Sequence, residues 1–254
     1  MQSDTAKFDH NILEQQIKAI IESSRLNLDS DSPLEDPSDD ACKTFVVAAT
    51  PRDGGSATRM RTYTSDISYA FPGLIWEAAR ATSAALTFFE PISIDGEIYA
   101  DGGIGWNNPS EEAIAEACQI WGKRKIGCLV SLGTGLESAL QLGDDEKTLK
   151  RQLLDKVLPK QSRLIDVAKH CVNCLTSSDK VHRRLCEDGR TYGVEGVYFR
   201  FNVPQGMSNI GLEEWEKIGD MTTLTKSYMR ADGRASRDAV ARILLEPWLP
   251  SLSL

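Results

Sequence analysis

From Ile92 to Leu132 the chain spells out a hairpin, a helix and a strand in unbroken succession, and nothing else in it constrains the fold as much. Asp95-Gly96 sits between Ile94 and Glu97. It is the two-residue turn that best marks a β-hairpin, because both central residues need positive φ. The second arm, EIYAD, ends in Asp101 and runs directly into Gly102 and Gly103. Helix-start signals follow: Asn108 as N-cap, Pro109 at the first helical position, and Glu111 and Glu112 at the positive end of the dipole. That helix should run to about Trp121, ahead of Gly122. IGCLVSL then reads as a fully buried strand closed by the turn Gly133-Thr134-Gly135. Strand, helix and buried strand in this order predict an α/β layered core.

The flanking sequence is consistent with that core. Phe8, Ile12, Leu13, Ile17, Ile20 and Ile21 recur at helical spacing. Residues 29–41 are rich in acids and proline and read as a solvated loop. KTFVVAAT predicts a buried strand, RDGGSAT a turn, and RMRTYTS a further extended piece. Leu74 to Phe89 reads as a helix built on Ala78, Ala79, Ala81, Ser83, Ala84 and Ala85, small enough to approach a sheet closely. Residues 145–190 read as mainly helical. VYFRFNV alternates as a strand, and the apolar spacing from Ile210 to Leu224 is helical. No repeat or firm domain boundary shows.

Composition removes several classes of function. Twenty-nine basic against 37 acidic residues give a net charge of -8, which argues against nucleic acid and against simple docking on anionic lipid. No apolar run approaches the ~20 residues that span a bilayer. MQSDTAKFDHN shows no signal peptide, and six scattered cysteines then read as reduced thiols of an intracellular, cytoplasmic protein.

Asp101 is the strongest candidate for chemistry. A carboxylate at a strand end, before two glycines and a capped helix, can project into a cleft and accept a proton. The same pattern also suits a plain turn or capping aspartate. Gly133 to Gly135 lacks a P-loop lysine and any GxGxxG continuation, so it reads as a structural turn. His170, Cys171, Cys174, His182 and Cys186 have a spacing that zinc could use. Leu164, Val167, Cys171, Cys174, Val181 and Leu185 fit apolar helical stripes, however, so the expectation is core thiols and no metal.

AARATSAALTFFEP, then YADGGIGWNNPSEEA, then CLVSLGTG, resembles the second half of the patatin-like phospholipase domain. FDHNILEQQIKAI upstream, with YFRFNVP and GLEEWEKIGDMTTLT downstream, resemble fungal members, so the likeness covers nearly the whole chain. The resemblance implies a three-layer α/β/α core and lipid acyl hydrolysis by a Ser–Asp dyad. It implies a lipid or phospholipid acyl ester as substrate, peripheral membrane contact, and no metal or organic cofactor. The family's Asp-Gly-Gly aspartate is the dyad base, which assigns that role to Asp101 with Gly102 and Gly103 as its turn.

The departure lies upstream. Family members carry a glycine-rich oxyanion loop and a Gly-x-Ser-x-Gly elbow before the helix that opens this chain, and these 254 residues contain neither. Ser56 in GGSAT lacks the final glycine, and Ser131 in SLGTG lacks the first. The expectation is one partial patatin-like domain over 1–254, without its N-terminal strand and nucleophile elbow, and inactive alone. The alternative is a non-catalytic interaction or signalling module.

Overall fold

A computed structural model describes residues 6–38, 40–50, 56–65, 69–85, 88–122, 124–135, 178–207, 210–211 and 213–245. These fall into two compact units. The first runs to Gly122 and takes in Ser178 and Asp179; the second covers 124–135 and the chain from Lys180 onward. Among the described residues no helix is long and apolar enough to cross a membrane.

The first unit contains α1 (His10–Glu22), β1 (Phe45–Thr50), β2 (Ser56–Arg61), α2 (Ile75–Thr82), β3 (Ile92–Ile94), β4 (Glu97–Asp101), α3 (Gly103–Trp106) and α4 (Ser110–Trp121). Its sheet has the order β2-β1-β4-β3, with every neighbour antiparallel. The β3–β4 hairpin turns at Asp95 (φ 50°) and Gly96 (φ 81°), the left-handed pair that its two residues predict.

The period-2 alternation of β2 sets the layers. Met60, fully buried, packs with Ala48, Ile94 and Tyr99 of the sheet against Ala78 and Ala81 of α2. The two alanines, three apart, form the small ridge that lets α2 sit close. α1 packs behind α2. Arg59 and Arg61 project from the opposite face and meet Glu112 and Glu116 of α4. Helix, sheet and helix therefore stack within this one unit, giving the α/β architecture expected of the sequence.

Several local expectations need correction. The helix from Leu74 ends at Thr82, not Phe89. Ala84 turns back on Ala81, and Phe88 and Phe89 both donate to the Ala85 carbonyl. Ser56 begins strand β2 instead of lying in a turn, and that strand ends at Arg61. The acidic loop is mostly exposed, as its composition suggests, and is tied at two points: Leu34 donates to Gly73 and packs on the core, and Asp36 donates to Thr62. Before α4, Asn108 is nearly fully buried, and its Oδ1 accepts from the Ser110 N–H (3.3 Å) and hydroxyl (2.6 Å).

In the second unit β5 (Leu129–Leu132) pairs parallel with β6 (Tyr198–Phe201). β5 is not the fully buried strand expected of IGCLVSL: Ser131 is buried, whereas Val130 and Leu132 are exposed. Residues 180–187 are helical and bury Val181 and Leu185. The rest of the expected helical stretch, up to 177, lies outside the described residues. Downstream, a 3₁₀ turn (Trp215–Lys217) leads into α5 (Ile218–Arg230), followed by α6 (Arg234–Leu245), so the helix foreseen from Ile210 starts later.

Candidate active site

Asp101 is the last residue of β4, paired with Ala48 of β1. Its N–H donates to the Ala84 carbonyl at 3.1 Å, and its Oδ1 accepts from the Gly103 N–H. The turn leaves no room for a side chain at Gly102 and little at Gly103. A Cβ on Gly102 would collide with the Val47 carbonyl oxygen, which already accepts the Thr82 hydroxyl at 2.7 Å. A Cβ on Gly103 would lie 2.8 Å from Asp101 Oδ1. Glycine at both positions lets the chain fold back so that the carboxylate meets its own turn. Burial pushes the Asp101 carboxyl above its ordinary value, with the Gly103 N–H pulling weakly the other way. The strand end therefore holds a carboxylate that is a better proton acceptor than a solvated one.

Asp101, Gly102 and Gly103 form one turn at the end of β4, and within the same unit Ser56 does not join them. Ser56 is exposed, and its hydroxyl bonds that of Thr50 at 3.2 Å. β1 separates its strand from β4, and the registers put Ser56 two residues further along. Two strand spacings and two residue rises place its Cα about 12 Å from that of Asp101. Ser131 is buried in the second unit, where its hydroxyl accepts from Arg200 Nη1 at 2.7 Å. The glycine turn after it spends its amides internally, Gly133 donating to Phe201 and Gly135 to Asn202 Oδ1.

His170, Cys171 and Cys174 lie outside the described residues. His182 Nδ1 sits 3.2 Å from the Tyr198 hydroxyl and 3.7 Å from Cys186 Sγ. Among the described residues no three His, Cys, Asp or Glu side chains gather as a metal would require.

Sequence reasoning missed an ionic cluster on the α4 face of the sheet. Glu116, 3 % exposed, accepts from Arg59 Nη1, Arg61 Nε and Arg61 Nη2 at 2.7 Å each and from the Tyr63 hydroxyl at 2.5 Å. Arg59 Nε also reaches Glu112 at 2.5 Å. Burial alone would raise the Glu116 carboxyl, but hydrogen bonds from Arg61 and Tyr63, the Arg61 charge and Arg59 outweigh it and hold it at about 2. Burial, then Glu116, pushes the Tyr63 phenol up. A cleft of about 560 Å³ opens beside this cluster, lined by β2 with Trp106 and Glu112. The signal existed in the sequence: Arg59 and Arg61 flank Met60 on alternate positions, and Glu112 and Glu116 share one helical face.

The fold and site thus define a layered α/β protein that presents a half-buried carboxylate on a strand-end glycine turn. Residues 3–114 match the family model described as patatin-like phospholipase, and the chain belongs to that family. It is 33% identical to human calcium-independent phospholipase A2-gamma over 173 residues, which are 67% of this chain and 19% of the relative. The mouse protein of the same name is 31% identical over 173 residues, 67% and 20% of the two chains. Phospholipase A I of Arabidopsis thaliana is 38% identical over 96 residues, 35% of this chain and 7% of the relative. The chain spans about a fifth of the length of the phospholipase A2-gamma relatives.

Proposed function

We propose that this chain supplies the aspartate half of a Ser–Asp lipid acyl hydrolase, with Asp101 as proton acceptor. The observation that carries the reading is the Asp101 turn. Its carboxylate is made more basic by burial and is aimed by a turn in which Gly102 cannot take a side chain without meeting the Val47 carbonyl. In the reaction, a serine supplied from outside these 254 residues attacks the acyl carbonyl of a glycerolipid ester. Asp101 takes the serine proton directly, and backbone N–H groups hold the oxyanion. The two units belong to one patatin-like domain, which meets lipid at a membrane surface. Alone, the chain is inactive, since Ser56 lies beyond the reach of Asp101.

The distance from Ser56 to Asp101 also favours a second reading, a non-catalytic patatin-like interaction or signalling module. One experiment separates them. The 254-residue chain is treated with a fluorophosphonate probe and a short-chain nitrophenyl ester, alone and fused to a segment carrying a glycine-rich loop and Gly-x-Ser-x-Gly. The dyad reading expects labelling and turnover in the fusion only. Labelling of Ser56 in the chain alone would replace the proposed nucleophile, and a silent, folded fusion would favour the module.

A further inference from the structure

Arg80 is the largest fully buried side chain among the described residues, and it stands among Ala78, Ala79 and Ala81 of α2. Its Nη2 donates to the Glu90 carbonyl at 2.6 Å, and its guanidinium lies 5.7 Å from the centre of the Phe89 ring. Nη1 has no hydrogen-bond partner among the described residues. The Glu14 and Glu90 charges support the cation from α1 and from the loop. Burying a guanidinium on so few bonds is unfavourable, and an apolar side chain of similar length would pack the same space more cheaply. A residue held at such a disadvantage points to a role other than stability.

What Arg80 holds is the return of the chain from α2 to the hairpin. After Thr82 the backbone turns at Ala84 and Ala85, Phe88 and Phe89 donate to Ala85, and Glu90 is then fastened to Arg80. Phe8 closes the outside by donating to the Phe88 carbonyl at 2.9 Å, stacking on the Phe88 ring and meeting the Phe89 ring at a tilt. The Ala84 carbonyl, at the centre of this turn, accepts the Asp101 N–H. We infer that Arg80 is a positioning residue for Asp101, clamping the turn whose Ala84 carbonyl fixes the Asp101 backbone and so aims its carboxylate. The functional meaning of this clamp rests on the reading of Asp101 as a proton acceptor; the mechanical coupling does not.

The test measures that coupling without an activity assay. Amide hydrogen exchange is followed by NMR in the 254-residue chain and in Arg80→Met and Arg80→Lys. Arg80→Met is expected to keep or raise the unfolding midpoint while the Asp101 amide exchanges at least about ten-fold faster. The amides of the β1–β2 ladder should keep their protection. Arg80→Lys retains a donor and should lie between the two. If Arg80→Met does not fold, the ratio of Asp101 to ladder exchange in Arg80→Lys decides. An unchanged ratio in the variant that folds overturns the inference, whether all amides hold or all loosen together, and marks Arg80 as core packing. Asp101→Asn in the serine-restored fusion tests the other reading separately. Full activity there removes the dyad while leaving a measured Arg80–Asp101 coupling intact.

Discussion

Two carboxylates in the first unit are drawn in opposite directions. Glu116 lies on the α4 face, gripped by two arginines and a tyrosine, and its carboxyl is held down to about 2. Asp101 ends β4 on a glycine turn, takes a single backbone N–H, and is pushed up by burial. Side chains of the same chemistry have thus been given different work. Glu116 is locked in its charged form, where it joins α4 to β2. Asp101 remains a carboxylate with few partners and raised basicity. Pairs of acids whose surroundings separate their affinities for a proton are the usual mark of a division between structural and chemical roles.

The largest expected effect falls on chemistry. In the fusion carrying a nucleophile segment, Asp101→Asn should lower ester turnover by about 10²–10⁴-fold, or ~3–5 kcal/mol of barrier, with the fold intact. Asp95→Asn is the control. Asp95 works only through its left-handed turn conformation, which asparagine also accepts, so activity should persist. Equal activity in both variants, read by nitrophenyl ester hydrolysis, would erase the contrast between the two carboxylates.

Stability should respond at the other acid. Glu116→Ala leaves Arg59 and Arg61 facing each other's charge at a nearly closed site and should destabilise the chain by about 3–5 kcal/mol in urea unfolding. A loss below about 1 kcal/mol would mean that the cluster is solvated and that α4 is held by other contacts.

The same cluster sets an acid limb. The folded carboxyl of Glu116 lies below its ordinary 4.5, so its contribution is complete above that value and fades as pH falls towards about 2. The span corresponds to about 3 kcal/mol, to be read from urea midpoints between pH 6 and pH 2. Glu116→Gln should flatten this limb. A limb of unchanged depth in that variant would assign it to other acids.

How much of this was legible in the sequence depended on the distance over which each signal acts. The Asp95-Gly96 turn, the Phe45–Thr50 strand and the end of α4 at Trp121 follow from local chemistry, and each stands where the residues put it; α4 opens one residue later than expected, with Pro109 and not Asn108 as its N-cap. The end of α2 was not legible. Ser83, Ala84 and Ala85 suit a helix as well as a tight turn, and what decides is the demand of Asp101 for the Ala84 carbonyl. β5 looked fully buried because LVSL carries three aliphatic residues, yet its single strand neighbour among the described residues, β6, leaves Val130 and Leu132 exposed. The Arg59–Glu116 bridge joins residues 57 apart: the alternation of Arg59 and Arg61 and the shared face of Glu112 and Glu116 were each readable, but not that the two faces meet. Asp101 was legible as a motif, while the tight turn that makes Gly102 necessary appeared only in three dimensions.

The smallest expected effect tests the contrast most directly, because it reverses the usual sign of a mutation. The folded carboxyl of Asp101 lies above its ordinary value of 3.8. Such a group favours the folded state fully below the unfolded value and loses that support as pH rises through the folded one. At neutral pH the native chain therefore carries a carboxylate that it would hold more easily as the acid. Asparagine keeps the oxygen that accepts the Gly103 N–H and removes the charge. Asp101→Asn should thus be slightly stabilising at pH 8. Each gain of about 1 kcal/mol would read as roughly 2–4 °C in Tm for a chain of this size. The gain should disappear near pH 3, where the native aspartate is itself protonated. Paired thermal melts of the two chains at pH 3 and pH 8 read both the sign and its dependence. Destabilisation at both pH values would show that the charge supports the turn as a capping group, and Asp101 would then be a structural acid of the same kind as Glu116.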